Sequence, residues 1–268
     1  MQNDLDSIKE WASKWKMEFN VDKCKIMHLG TSNPKHTYSM GGINLAVTSE
    51  EKDLGVLIDD KLVFDKHITG IVNKANRMLG MIRRGFACLD KEIFMNLYPV
   101  MVRPLLEYCV QVWSPYRQDL INLIEGVQSR ATRMVPALKN KTYEERLDAL
   151  GLTTLIERRY RGDMIQTYKM LTKKEDTDPT KFFQMARERG DPSLFHGFKI
   201  FKKRANRKQR RNSFSIRVAN PWNRLKRKEV QALKTSGFKS NLDKNEIDRR
   251  ARRERDGRLY IHLYHQTV

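Results

Sequence analysis

The chain has 268 residues, enough for one large or two small domains, and carries 52 Lys and Arg against 32 Asp and Glu. No apolar run approaches the roughly 18 residues of a membrane span, and the start lacks the basic-then-apolar pattern of a secretion signal. These features argue against a membrane-spanning or secreted protein and predict an intracellular one, in the nucleus or cytoplasm. The three cysteines are far apart, so we expect small core residues rather than a disulfide framework or a zinc site.

The positive charge is concentrated near the end of the sequence. From Lys199 onward there are 22 basic and 6 acidic residues, a net charge of +16 out of the total of +20. Such asymmetry favours a polyanionic partner, with nucleic acid first and an anionic membrane surface second.

The first predicted elements mix helix and strand. Residues 4–17 have the spacing of a helix with one apolar side, and residues 19–29 alternate in the manner of a strand that ends at Gly30. Gly41 and Gly42 predict the turn of a hairpin, and a further strand is expected over 54–58, before Asp59 and Asp60.

Three helices are expected between Asp65 and Val135. The outer two have single apolar stripes, formed by Ile68, Ile71, Val72, Ala75, Leu79 and Ile82, and by Leu120, Leu123, Ile124, Val127, Ala131 and Met134. The middle segment, 93–113, is apolar on more than one side and predicts a helix sandwiched between the other two.

Two further helices follow, and then the helical pattern weakens. Thr142 and Glu145 have the spacing of a capping box at the start of a fourth helix, which Gly151 is expected to interrupt. Residues 155–171 predict a fifth helix. Residues 199–211 contain eight basic and no acidic residues, which predicts a mobile arm. A short strand is expected over 259–264.

The predicted fold is therefore mainly α with a small α+β edge. We expect a helix, strand and β-hairpin segment over 1–62, a helical bundle over 63–174, and a basic, partly disordered region with short elements over 175–268.

Several blocks, in this order, resemble the C-terminal part of the reverse transcriptase of Jockey-like non-LTR (LINE-type) retrotransposons. They cover roughly residues 4–243 and comprise Trp11–Cys24, Lys52–Val56, Tyr98–Tyr108, Val112–Pro115, Ile124–Arg133, Tyr143–Leu147 and Pro221–Leu225. Lys226 departs from the family, which usually has Pro after this last block, and residues 244–268 also fall outside the resemblance.

The resemblance implies an RNA-directed DNA polymerase seen from the end of its palm through its thumb. Phe19–Lys23 looks like a palm motif whose lysine lies near the incoming triphosphate, and Asp53–Val56 looks like the primer grip. The helices from Asp65 onward look like the thumb, which follows the duplex behind the active site. The family's enzymes use Mg²⁺ held by carboxylates, partly from a Tyr-Ala-Asp-Asp turn that this sequence lacks, so we expect no cofactor in this chain.

No residue is predicted to be catalytic or to bind a metal. Asp59 and Asp60 are expected to form a turn, because no aromatic residue precedes them at the family's spacing. The histidines include no HExxH motif, and His262 and His265, three residues apart, could bind a metal only together with distant ligands. His28 and Cys109 have no visible catalytic partner. Trp11, Trp15, Trp113 and Trp222 are expected to be core residues, since they lie within apolar periodicity.

Most of the candidate phosphate contacts are basic residues on the polar sides of helices and in the basic run 199–211. Arg158, Arg159 and Arg161 are also candidates for phosphate contact, and the alternative is that they form a charged face that contacts only solvent. The residues predicted to bind nucleic acid are Lys23, Arg83, Arg84, Arg130, Arg133, Lys199, Lys202, Lys203, Arg204, Arg207, Lys208, Arg210 and Arg211.

Two functions therefore remain open. The first is a reverse-transcriptase fragment that holds template–primer nucleic acid, RNA or an RNA–DNA duplex, without catalysing synthesis alone. The second is a co-opted or decayed, non-catalytic, basic nucleic-acid-binding protein. Binding to an anionic membrane surface through the basic region is a third and weaker interpretation.

Overall fold

The computed structural model describes residues 1–30, 32–186 and 197–244. It divides into a unit from Met1 to Gly70 and a unit from Ile71 to Val268. The fold is mainly α with a small α+β edge, as the sequence predicts. The strand expected over 259–264 lies outside the described residues, and the three predicted domain boundaries remain predictions.

The N-terminal unit contains one helix before six short strands. These are α1 (Gln2–Lys14), β1 (Lys25–Ile26), β2 (Ser39–Met40), β3 (Ile43–Asn44), β4 (Ala46–Val47), β5 (Glu50–Asp53) and β6 (Val56–Asp59). β1 pairs with β4 in parallel, while β2 with β3 and β5 with β6 form antiparallel pairs. The buried side chains of Ile26, Met40 and Leu45 form the small core of this unit.

The hairpin at Gly41 and Gly42 confirms the two-glycine turn. Both glycines have positive φ angles, +61° and +82°, which a type I′ turn requires and which glycine adopts without a steric penalty. The neighbouring prediction of a strand over 54–58 is wrong at its start, because Leu54 and Gly55 form the turn between β5 and β6. The strand β5 was missed because Glu50–Asp53 is charged throughout and has no apolar alternation.

Asp59 has the turn role that the sequence predicts. Its carboxylate accepts hydrogen bonds from the backbone N–H groups of Lys61, Val63 and Phe64, at 3.0, 3.2 and 2.7 Å. This arrangement ends β6 and leads the chain into the next helix.

The following helices are α2 (Asp65–Gly85), α3 (Lys91–Leu97), α4 (Val110–Trp113), α5 (Gln118–Thr132), α6 (Tyr143–Leu150) and α7 (Leu155–Leu171). The apolar stripes of α2 and α5 are buried as predicted, apart from the partly exposed Ile71, Leu123 and Met134. Thr142 and Glu145 form the predicted capping box, and Gly151 ends α6 with a φ of 65°. A second capping box, between Thr154 and Glu157, begins α7.

The middle segment, 93–113, is not the single sandwiched helix that was predicted. After α3 the chain forms a π-helical turn over Tyr98–Val102 and a 3₁₀ turn over Arg103–Leu106, and Cys109 has a left-handed conformation before α4. Only one side is buried, formed by Phe94, Tyr98, Val102, Leu106, Val110 and Trp113. Val100, Tyr108 and Val112 are exposed, so the second apolar side faces outward.

This buried row explains the irregular helix. Its residues recur mostly every four positions. In a regular α-helix, side chains four residues apart point in directions that differ by about 40° around the helix axis, so a row with this spacing would drift away from the core. The π-helical turn takes an extra residue per turn and so keeps Tyr98 and Val102 directed toward the core.

A buried polar network holds α5 against its neighbours. The Tyr98 hydroxyl donates to Oε1 of Gln128 at 2.8 Å, and Nε2 of Gln128 donates to the Tyr143 hydroxyl and to the Thr153 carbonyl, both at 2.9 Å. The Tyr143 hydroxyl donates in turn to Glu125, and burial raises the pKa of the Glu125 carboxyl. Satisfied networks of this kind fix one packing arrangement, because any break leaves a buried polar group unpaired.

Residues 197–244 pack on α7 rather than standing apart from it. They contain α8 (Lys208–Arg211), α9 (Phe214–Arg217), α10 (Ala219–Asn223), α11 (Arg227–Val230) and a helical segment over 235–244. One core cluster joins the two parts of the chain, with Tyr160, Met164, Tyr168, Met170 and Leu171 from α7 and Phe183, Ile200, Val218, Ala219, Trp222, Leu225, Val230, Phe238 and Leu242 from beyond it.

A buried ion pair lies beside this cluster. The guanidinium of Arg217 donates to both carboxylate oxygens of Asp163, at 2.8 and 2.9 Å, and the two side chains are 6% and 1% exposed. Arg217 also donates to the backbone carbonyls of Asn212 at 3.1 Å and Gln111 at 3.1 Å. It thereby connects α9, α7 and α4.

Two predictions about single residue types need correction. Trp113 and Trp222 are buried as expected, but Trp11 and Trp15 are 53% and 62% exposed, because Ala12 is the buried residue of α1. Of the cysteines, the partly buried Cys24 packs against the small core of the N-terminal unit, while Cys109 is partly exposed and Cys88 is exposed, so the expectation of core residues is wrong for Cys88.

Candidate nucleic-acid interface

The exposed side of α2 carries a row of basic residues formed by Lys74, Arg77 and Arg84. At 3.6 residues per turn these three positions lie within about 80° of one another, opposite the buried stripe. All three side chains are exposed. Of this row only Arg84 is among the residues predicted from the sequence to bind nucleic acid, although the same helical spacing identifies Lys74 and Arg77.

Arg83 and Arg130 share the flank where α2 meets α5. Nη2 of Arg130 donates to Oδ1 of Asn76 at 3.0 Å, which joins the polar sides of the two helices. Arg83 follows Asn76 by seven residues, about two helical turns, and therefore lies on the same side of α2. Arg133 is exposed at the C-terminal end of α5.

Two of these arginines lie over glycines one turn earlier in their helices. A Cβ atom at Gly126 would stand 3.3 Å from Nη1 of Arg130, and one at Gly80 would stand 3.7 Å from Nη1 of Arg84. The glycines leave room for the two guanidinium groups to lie close to the helix backbone at these positions.

The arginines of α7 are engaged within the protein, contrary to the sequence-based interpretation. Arg158 forms an ion pair with Glu107, Arg161 forms one with Asp243 at 2.6 Å, and Arg159 is buried. Their charges stabilise the packing around α7 and are poorly placed to meet phosphate.

The basic run 199–211 begins as a fixed strand-like segment, not as the predicted mobile arm. Ile200 is buried, its N–H donates to Oδ1 of Asn223 at 2.9 Å, and its carbonyl accepts from Nδ2 of Asn223 at 2.8 Å. Ile200 also pairs antiparallel with Met185. The run therefore displays its charges from an anchored backbone.

Most of the basic side chains in the run face solvent. Lys199 is half-buried, while the exposed ones are Lys202, Lys203, Arg204, Arg207, Lys208, Arg210 and Arg211. The segment 199–228 contains 13 basic and no acidic residues. Arg217 is buried and paired with Asp163, but the exposed cations of the segment have no carboxylate within the segment itself, which makes phosphate a suitable counter-ion for this surface.

Lys23 lies in the N-terminal unit, at the end of a 3₁₀ turn over Val21–Lys23. Its side chain is exposed, and its backbone N–H donates to Oδ1 of Asn20 at 3.3 Å. The structure thus presents Lys23 to solvent, and among the residues it describes none forms an ion pair with the Lys23 side chain.

Within the described residues, no three His, Cys, Asp or Glu side chains come close enough together to hold a metal ion. Separately, no helix in the described parts of the chain has the length and apolar character needed to cross a membrane.

Comparison with known proteins shows similarity to polymerases of mobile elements. The chain is 29% identical over 143 residues to the RNA-directed DNA polymerase from mobile element jockey of Drosophila funebris, which covers 50% of this chain and 15% of that protein. The polymerase of the Drosophila melanogaster jockey element is 28% identical over 141 residues, again 50% of this chain and 15% of that protein. The probable RNA-directed DNA polymerase from Drosophila melanogaster transposon BS is 24% identical over 144 residues, 50% of this chain and 16% of that protein.

These matches confirm the resemblance to Jockey-like polymerases that the motifs predict. The chain spans only about 15% of the length of these two jockey polymerases. No protein-family model and no solved structure matches the chain.

Proposed function

We propose that this chain is the nucleic-acid-holding part of a Jockey-like RNA-directed DNA polymerase, and that it contacts template and primer through their phosphates. The second of the two units, Ile71–Val268, is called the helical unit below, and it would act as a thumb-like element along the nucleic acid. The proposal assigns no catalytic residue, cofactor or metal ion to the chain itself.

The observation that carries the proposal is the exposed basic surface on an ordered scaffold. Lys202, Lys203 and Arg204 are consecutive and exposed, and none of them forms an ion pair within the described residues. The basic row of α2 and the arginines at its contact with α5 add further exposed cations on helices. Similarity to polymerases that copy RNA supports nucleic acid as the polyanion.

The salt dependence of binding tests this proposal. Replacing Lys202, Lys203 and Arg204 together by Gln should weaken nucleic-acid binding and make its dependence on salt less steep. Each lost phosphate contact reduces the slope of log affinity against log salt by about 0.9 on B-DNA and about 0.7 on a single strand. Fluorescence anisotropy with labelled RNA, DNA and an RNA–DNA duplex at several salt concentrations would measure the slope.

A matched control is the triple Gln variant at Lys173, Lys174 and Lys181, which are also exposed. It removes the same charge from a part of the chain that contains acidic neighbours, and we expect a nearly unchanged slope. Equal effects of the two triple variants would show a net-charge effect without a site. Failure of the unaltered chain to bind any of the three nucleic acids would contradict the proposed function.

The non-catalytic half of the proposal predicts no primer extension by the purified chain with Mg²⁺, primed RNA and deoxynucleotides. Polymerases of this kind need metal ions held by converging carboxylates, and this sequence contains no Tyr-Ala-Asp-Asp run. An active reverse transcriptase on the same template is the positive control. Template-directed incorporation that purifies with the chain would overturn this half and leave the binding proposal intact.

A further inference from the structure

Phe201 is an exposed aromatic residue at the start of the basic run. Its side chain is 52% exposed, whereas that of the preceding Ile200 is 2% exposed. The two side chains alternate across an extended backbone, so anchoring Ile200 in the core directs Phe201 to the outer surface.

The backbone on both sides of this position is held by the fold. The N–H of Phe201 donates to the carbonyl of Gln184 at 2.7 Å, and the indole N–H of Trp222 donates to the carbonyl of Phe198 at 2.7 Å. The two hydrogen bonds between Ile200 and the Asn223 side chain, one donated by each residue, complete the attachment. An aromatic ring on such a segment loses little further freedom when it contacts a ligand.

The chemistry next to the ring is cationic and extended. Lys202, Lys203 and Arg204 follow directly, all exposed, and residues 201–206 have no regular secondary structure. An exposed aromatic face beside a row of cations matches the two needs of unpaired nucleic acid, which offers a free base for stacking and a phosphate for each nucleotide. A duplex offers the phosphates but keeps its bases stacked on one another, where a surface ring cannot reach them.

We propose that the surface formed by Phe201, Lys202, Lys203 and Arg204 binds single-stranded nucleic acid, with one base stacked on Phe201 and the cations on the adjacent phosphates. This inference rests on the proposed function and specifies which form of nucleic acid the surface takes. Because stacking uses the π-face common to all bases, the surface reads strandedness rather than sequence.

The test compares Phe201→Leu with Phe201→Trp in the full chain. Leu keeps the apolar character and removes the aromatic face, while Trp keeps that face. We expect Phe201→Leu to weaken binding of an unstructured oligonucleotide by about 5- to 30-fold, and Phe201→Trp to bind as well as the unaltered chain or better. An abasic strand of equal length and a duplex of equal length serve as probes without accessible bases, and their affinities should be the same for all three proteins.

Unchanged single-strand binding by Phe201→Leu would overturn the inference, and so would an equal loss on the abasic strand. If the triple Gln variant at 202–204 still weakens binding in that case, the proposed phosphate-binding function stands without the stacking contact. If the unaltered chain binds no nucleic acid, both proposals fail. Thermal unfolding of each variant checks that the fold is retained, which we expect because the Phe201 ring faces solvent.

Discussion

Ending the chain after Lys174 should abolish the cooperative unfolding of the helical unit. The core cluster that packs on α7 has fourteen side chains. The truncation removes the nine that follow Lys174 and uncovers the five that α7 itself contributes. Each large apolar side chain contributes about 1.5–3 kcal/mol when fully buried, and a domain has only about 5–15 kcal/mol of net stability. Urea titration followed by circular dichroism should show a broad transition, and the dye ANS should bind to the exposed apolar surface.

The matched truncation ends after Lys244 and keeps all fourteen residues of that cluster. We expect it to unfold cooperatively, with a midpoint close to that of the full chain. A sharp, full-chain-like transition in the shorter protein would instead show that residues 63–174 fold as the separate domain that the sequence predicts.

Replacing Arg217 by Ala should lower the free energy of unfolding by about 3–5 kcal/mol, the usual cost of removing one partner from a buried ion pair. The reason is the carboxylate of Asp163, which is 1% exposed and would lose the two hydrogen bonds that the Arg217 guanidinium donates to it. Urea or thermal unfolding measures the change.

A double variant separates the charge from the packing. Asp163→Leu with Arg217→Met removes both charges at similar volume, so it should recover most of the lost stability. Asp119→Asn breaks the exposed pair with Arg117 and should change stability little, because exposed pairs are screened by water and salt. A loss in the double variant as large as in Arg217→Ala would mean that the bonds to the carbonyls of Asn212 and Gln111 matter more than the pair.

The local features of the fold follow from the sequence because they depend on neighbouring residues. The stripes of α2 and α5 are read from three- and four-residue spacing, and the box at Thr142 and Glu145 involves residues three apart. The bounds of α7 are likewise set by Thr154 at its start and by the end of its periodic pattern.

The middle segment and the C-terminal packing depend on contacts that spacing does not reveal. The apolar residues of 93–113 predict a helix that is apolar on more than one side, although those recurring every four positions from Phe94 to Val110 form one buried side of an irregular helix. Asp163 and Arg217 are 54 residues apart, so nothing local links them. The charged strand Glu50–Asp53 was invisible because backbone pairing, and not burial, defines it.

The candidate interface was predictable in its location and not in its details. The basic run can be found by counting charged residues along the sequence, and most of its lysines and arginines are exposed in the structure. The anchoring of Ile200 by Asn223 and the engagement of Arg158 and Arg161 with carboxylates required the three-dimensional structure. These contacts decide which cations remain accessible to a ligand.

The four tryptophans give each unit of the protein its own intrinsic fluorophores. Trp11 and Trp15, with ring centroids 6.4 Å apart, face water in the N-terminal unit, while Trp113 and Trp222 are enclosed in the helical unit. Iodide in solution can quench the first pair but has no access to the second until the helical unit opens. Emission can therefore distinguish events in one unit from events in the other without any attached dye.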